Sequence, residues 1–129
     1  MTPLEEFLSI IAETAEKNCA LDSKISLEEL PADGGLYAEL GDGFITTQYF
    51  NRAELKTVPV LFLCRNVDQR RCLEQLESIC SYFTRLQEYP QGSGFVWKNA
   101  ETAKCPNKIG RDEDGLYHYS CILNCKIFY

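Results

Sequence analysis

The sequence contains one histidine, one tryptophan and one methionine, and none of its cysteines form a CxxC pair. No stretch approaches the roughly 20 consecutive apolar residues that a membrane span requires. The first residues, Met1-Thr2-Pro3-Leu4-Glu5-Glu6, lack the basic start and apolar run of a secretory signal, so the chain is expected to stay where it is made. Basic residues are the minority, 13 against 19 acidic ones, for a net charge of −6. Nucleic acid is therefore not an expected partner, because phosphate binding needs a cationic face. Zinc needs three or four convergent ligands, and scattered thiols with a single imidazole offer no such spacing. Gly92-Ser93-Gly94 precedes an apolar run and has no Lys-Ser or Lys-Thr after it, unlike a phosphate loop. Asp112-Glu113-Asp114 lacks the alternating ligands and closing glutamate of a calcium loop, and reads as a solvated hairpin tip. No catalytic residue, metal, cofactor or small-molecule substrate is expected.

What is present suits one domain over residues 1–129. The apolar fraction of 45% and charged fraction of 25% are those of a globular chain. A chain of this size buries roughly two thirds of its unfolded surface, enough for one core without staples. The seven cysteines are odd in number, and with no export signal they read as reduced, buried thiols. Cys121 and Cys125 are four apart in a strand pattern, about 13 Å. Cys72 and Cys80 are eight apart in a helical one, about 12 Å. Neither pair can form a disulfide as it stands.

Thr2-Pro3-Leu4-Glu5 is a helix start, with Thr2 as N-cap, Pro3 at the first helical position and Glu5 closing a capping box. Leu4, Phe7, Leu8, Ile11, Ala12 and Ala15 give one apolar stripe, predicting a helix over about residues 3–18. After the breaker Pro31-Ala32-Asp33-Gly34-Gly35 come strand patterns at Leu36–Leu40 and Phe44–Phe50, joined by Gly41-Asp42-Gly43 as a hairpin turn. The apolar run in Leu55–Cys64 predicts a strand covered on both faces, with Pro59 near its start at an edge or bulge. A second helix follows, capped by Asn66 with Gln69 reaching back, its apolar face formed by Cys72, Leu76, Ile79, Cys80, Phe83 and Leu86. Pro90-Gln91-Gly92-Ser93-Gly94 ends that helix. The last third predicts a hairpin, one arm from Phe95 towards Ala103, its turn at Arg111–Gly115. On the return arm Tyr117, Tyr119, Cys121, Leu123, Cys125 and Ile127 share one face.

Few side chains suggest contacts or chemistry. His118 falls on the opposite strand face from Cys121, so the two cannot make a nucleophile pair. Arg65, Arg70 and Arg71 form the one basic cluster, at the start of the second helix, where positive charge opposes the helix dipole. They are either ordinary solvated arginines or contacts for an acidic partner surface. Tyr37, Tyr49, Trp97, Tyr117 and Tyr119 sit in strand patterns, where core packing and interface contact are the two readings. Of these, Trp97 joins the three arginines as a candidate subunit-interface residue.

The segments Thr57-Val58-Pro59-Val60-Leu61-Phe62-Leu63-Cys64-Arg65-Asn66, Asp68-Gln69-Arg70-Arg71-Cys72-Leu73, Tyr89-Pro90-Gln91-Gly92-Ser93-Gly94-Phe95 and Tyr119-Ser120-Cys121-Ile122-Leu123-Asn124 carry a resemblance. Over about residues 36–129 the chain resembles a family of small minor capsid proteins of long-tailed phages and prophages of Gram-positive bacteria. That family is similar to the tail terminators, whose ring closes the finished tail tube and presents it to the head. The resemblance implies a six-fold ring and brings no active-site residues. The expected fold is α+β: a mixed, mainly antiparallel sheet of four to five strands packed by two helices, in the order α-β-β-β-α-β-β. The expected role is tail terminator or head–tail joining subunit, with other copies of itself, the tail-tube protein and a head-completion or connector protein as partners. It would be found in the bacterial host cytoplasm during assembly and then in the virion. The competing expectations are a small cytosolic ligand-binding domain using an aromatic sheet face, and an enzyme with a cysteine nucleophile.

Overall fold

The computed structural model describes residues 2–30, 34–48 and 53–129. The elements in chain order are α1 (Pro3–Asn18), β1 (Ile25–Ser26), β2 (Gly35–Leu40), β3 (Phe44–Gln48), β4 (Glu54–Asn66), α2 (Gln69–Thr84), β5 (Val96–Arg111) and β6 (Tyr117–Phe128). They form an α+β fold with a mixed, mostly antiparallel sheet. The sheet order is β1-β2-β4-β6-β5, with β3 also paired to β4. Six strands replace the expected four to five. The addition is the two-residue β1, parallel to β2, which has too little sequence to leave a period. The breaker residues Pro31-Ala32-Asp33 and the strand end Tyr49-Phe50 lie outside the described residues.

Helix α1 starts as its sequence predicts. The Thr2 side chain accepts from the Glu5 N–H at 3.2 Å, and Thr2 Oγ1 donates to the Glu5 carboxylate at 3.1 Å. Helix α2 is capped differently. Asp68 is its N-cap, accepting from the Arg70 N–H at 3.0 Å, while Asn66 accepts from the Asp68 N–H at 2.9 Å. Asn66 is still the last residue of β4, so it turns the chain and leaves the cap to a carboxylate. That carboxylate supplies the negative charge that Arg70 and Arg71 withhold from the helix start.

Four strands present their even or odd positions to the helices. Val60, Phe62, Cys121, Leu123, Cys125 and Ile127 are fully buried, with Leu36 and Ala38 beside them. Strand β6 pairs with β4 from Leu55↔Phe128 to Asn66↔Tyr117, so the alternation of β6 is locked to that of β4. Between sheet and helices the core is aromatic. Phe7 of α1 stands edge-on to Phe95 at 5.5 Å and to Trp97 at 4.9 Å, and Phe83 of α2 and Tyr89 pack on the same indole.

Gly41-Asp42-Gly43 is not a hairpin turn. Strands β2 and β3 do not pair with each other; both pair antiparallel with β4, from Gly35↔Arg65 to Leu40↔Val60 and from Phe44↔Thr57 to Gln48↔Glu54. They lie end to end along β4, as one strand broken in the middle. Pro59, expected near the start of its strand, stands at that break. Its carbonyl accepts from the Gly41 N–H at 2.8 Å. In an extended residue N–H and C=O point to the same side, so the proline's missing donor faces the gap. A Cβ on Gly43 would lie 2.9 Å from the Thr57 carbonyl oxygen, which accounts for glycine in the break.

The polar segment after α1 is held by side chains. Gln75, 2% exposed, accepts from the Asp22 N–H at 2.9 Å and donates to the Arg71 carbonyl at 3.1 Å. The Glu16 carboxylate accepts from the Ile25 N–H at 2.9 Å. Gly92-Ser93-Gly94 is likewise tied down: Glu6 accepts from the Ser93 hydroxyl at 2.7 Å and the Gly94 N–H at 3.0 Å.

Strand β5 runs past Ala103 to Arg111, with four register irregularities along β6. Because β5 is the sheet's edge, Pro106 is tolerated within it. At the hairpin tip Asp112 Oδ1 accepts from the N–H groups of Asp114 and Leu116, both at 3.0 Å, and Gly115 takes a φ of +82°. Removing the ring that joins α1 to the aromatic core (Phe7→Ala) is predicted to lower unfolding free energy by about 3–5 kcal/mol in urea titration. Ile45→Ala, at a side chain 58% exposed, is predicted to change it by less than about 0.5 kcal/mol.

Candidate interaction surface

Both helices pack on one face of the sheet, and among the described residues no helix covers the other. The residues of that outward face follow from the registers. Glu39 stands opposite Leu61, Leu61 opposite Ile122, and Ile122 opposite Lys104. One step along, Tyr37 pairs with Leu63, Leu63 with Ser120, and Ser120 with Asn107. Leu61, Leu63 and Ile122 are half-buried by their neighbours, and Lys104 is exposed. The apolar run of β4 therefore does not mean cover on both faces here. Its Val60 and Phe62 lie under the helices, while Leu61 and Leu63 lie on the open side. The Tyr37 hydroxyl donates to Glu39 at 3.0 Å, holding that carboxylate at the rim of the apolar row.

A second surface is the outer edge of β5. Its first part is closed: the Gln91 side chain accepts from the Trp97 N–H at 2.9 Å and donates to the Trp97 carbonyl at 3.0 Å, as a neighbouring strand would. The Tyr89 hydroxyl accepts from the Ala100 N–H at 3.2 Å and donates to the Phe83 carbonyl at 2.6 Å. Beyond Ala100 the edge is lined by mostly exposed side chains, among them Ile109 at 59%. On the opposite side of the sheet the edge is formed by β3 and the short β1.

The four residues singled out in the sequence do not form one patch. Trp97 is 2% exposed at the centre of the aromatic core, so the interface assignment is corrected to a packing role. Its Nε1–H is satisfied by the Asn99 carbonyl at 3.0 Å. Arg71 is taken up within the chain. It holds the Asp22 carboxylate with two nitrogens (2.6 and 2.9 Å), reaches the Ala20 carbonyl at 3.1 Å and pairs with Glu74 at 3.1 Å. This fork-to-fork geometry fastens the segment after α1 onto α2. Arg65 lies towards the hairpin tip, 3.8 Å from Asp112. Arg70 is exposed on the first turn of α2.

His118 is not isolated: its Nε2 lies 3.0 Å from Asp112 Oδ2. It is paired across the sheet with Arg65, so the tip carboxylate sits between both groups. Cys121 points the other way, buried under α2 as expected from period two. Six of the seven thiols are buried and Cys105 alone is exposed. The Cys80 thiol and burial push Cys121 up, and burial pushes Cys125 up. Cys105 and Cys80 line a groove of about 450 Å³ between α2 and β5. A cavity of about 250 Å³ opens at the break between β2 and β3, lined by Leu4, Leu40, Lys56, Val58 and Tyr129. Among the described residues no group of three or more His, Cys, Asp or Glu is placed to hold a metal ion, and no helix is long and apolar enough to cross a membrane.

Two predictions follow from this placement of thiols and carboxylates. One thiol, Cys105, is predicted to react with an aromatic disulfide reagent in the native protein, and all seven after unfolding, as absorbance would record. Asp112 is held below its ordinary value of 3.8 by the His118 ring and by the Leu116 N–H, and Asp22 is held below it by Arg71. The Gly94 N–H and the Ser93 hydroxyl hold Glu6 below 4.5. A carboxylate depressed in the folded state contributes stability that is complete above its unfolded value and lost as pH falls through the folded one. Urea midpoints are therefore predicted to stay level from neutral pH to about 5 and fall below about 4. Asp112→Asn and Asp22→Asn would each flatten that fall.

No family model matches the chain, and comparison with curated proteins finds no match.

Proposed function

We propose that this chain is a virion assembly subunit, a tail terminator or head–tail joining protein that caps the tail tube as a ring and presents it to the head connector. The observation that supports this most is the pair of unlike sheet edges on opposite sides of the fold: β5 beyond Ala100 on one, β3 with β1 on the other. A ring needs a heterologous contact, in which one surface of a subunit meets a different surface of the next. Two unlike edges on opposite sides supply such a pair. The bulges along β5 break the regular ladder of that edge, so it would accept a matched partner in preference to any passing strand.

The resemblance in the β4, α2, Tyr89–Phe95 and β6 segments supports the same reading and supplies the six-fold number. In this account the partners are further copies of the chain, the tail-tube protein and a head-completion or connector protein. Assembly takes place in the bacterial host cytoplasm and the product is part of the virion. The residues that do the work are contact residues. Ile109 and the neighbouring β5 side chains meet the next subunit, and Arg70 remains available to an acidic partner surface.

Purified protein mixed with tail tubes and viewed by negative-stain electron microscopy is predicted to form six-fold rings at tube ends and to stop tube growth. Ile109→Asp, whose circular dichroism should match the parent, is predicted to abolish the rings. Tubes that keep growing with no ring at their ends, in the presence of well-folded parent protein, would contradict the proposal.

A further inference from the structure

The row Glu39–Leu61–Ile122–Lys104 crosses four adjacent strands on the open face, with an acid at one rim, two aliphatic residues at the centre and a base at the other rim. A two-fold axis parallel to the strands, passing between β4 and β6, reverses the order of the strands and leaves each row at its own level. A second copy related by that axis places its Ile122 over Leu61 and its Lys104 over Glu39, and the reverse pair forms at the same time. The row is complementary to itself. The neighbouring levels raise no conflict: Leu63 lies over Ser120 of the second copy, which its own chain already buries, and Tyr37 lies over its Asn107. At the far level Arg65 meets His118 of the second copy, with the Asp112 carboxylate beside both groups. Strand directions stay aligned under this operation, as in face-to-face sheet packing about 10 Å apart.

We infer that the open sheet face is the contact of a two-fold dimer of this chain, built on Leu61, Leu63 and Ile122 and oriented by the crossed Glu39–Lys104 pairs. This contact is isologous and cannot by itself close a ring, so it goes beyond the edge-to-edge assembly proposed above and uses other residues. It gives the free chain, before any tube end is present, a way to cover the apolar side of β4.

The test is sedimentation equilibrium of the full chain with five variants. The parent is expected to dimerise in the micromolar range, and Leu61→Asp is expected to be monomeric with an unchanged circular dichroism spectrum. Glu39→Lys alone places two lysines together at each rim, and Lys104→Glu alone places two glutamates together. Each single change is expected to weaken the dimer about tenfold or more. The double change, Glu39→Lys with Lys104→Glu, is expected to return it to within about threefold of the parent. A parent that stays monomeric at several hundred micromolar overturns the inference and leaves the face to another occupant. So does a double variant no tighter than the singles, because the crossed pairing would then be wrong. Ile109→Asp, which tests the ring, is expected to leave this dimer unchanged, so the two proposals fail separately.

Discussion

The antiparallel pairing of β4 with β6 is the constraint on which the other features depend. It runs without a register shift from Leu55↔Phe128 to Asn66↔Tyr117, and a slip of one residue would put Val60 and Phe62 on the opposite face of the sheet from Leu123 and Cys125. With that pairing set, the inner face is a continuous apolar floor. Both helices then have one place to lay their stripes. The aromatic cluster around Trp97 is the joint between the floor and the two helices: Phe7, Phe83 and Tyr89 come to one indole from separate parts of the chain, and Phe95 packs on Phe7. Its burial explains why the single tryptophan serves the core and is not offered to a partner.

Among the described residues, the same pairing leaves one face without a helix over it. Because β4 is apolar at every position from Val58 to Cys64, satisfying its inner side still leaves Leu61 and Leu63 outward, and Ile122 of β6 joins them. Polar rims on either side keep this strip from being indiscriminate. Glu39 is fixed by the Tyr37 hydroxyl, and Lys104 stands at the opposite rim. The edges are treated differently from the face. Gln91 and Tyr89 close the first residues of β5, bulges interrupt the rest, and β2 and β3 are broken at Pro59. The proposed assembly role draws on these surfaces, the edges for the proposed ring and the face for the proposed pair.

Much of the fold was legible in the sequence. The cap at Thr2, the stripe of α1, the face of α2 and the period-two alternation of β6 are local signals, and the structure keeps them because nothing tertiary competes. The parts that were not legible are those decided by pairing between distant segments. Gly41-Asp42-Gly43 reads as a hairpin turn in isolation, and only the length of β4 shows that β2 and β3 lie end to end along it. Asn66 reads as a cap until β4 extends through it and hands the role to Asp68. The candidate surface was harder still. Arg71 looked available, but Asp22, far from it in sequence, takes its Nε and Nη2, and Glu74 takes its Nη1. Leu61 and Leu63 were hidden inside an apolar run whose natural reading was full burial. The one signal for them was that a run apolar on both faces needs two layers of cover, while the sequence holds only two helices, both able to fit on a single face.

Amide hydrogen exchange with and without tail tubes decides whether the two sheet edges are the proposed assembly surfaces. Residues 101–111 of β5 and residues 44–48 of β3 are expected to gain protection together when tube ends are present, while the buried amides of β4 and β6 stay as they were. Unchanged exchange along both edges, with protection appearing instead around the cavity lined by Leu4, Lys56 and Tyr129, would contradict that assignment.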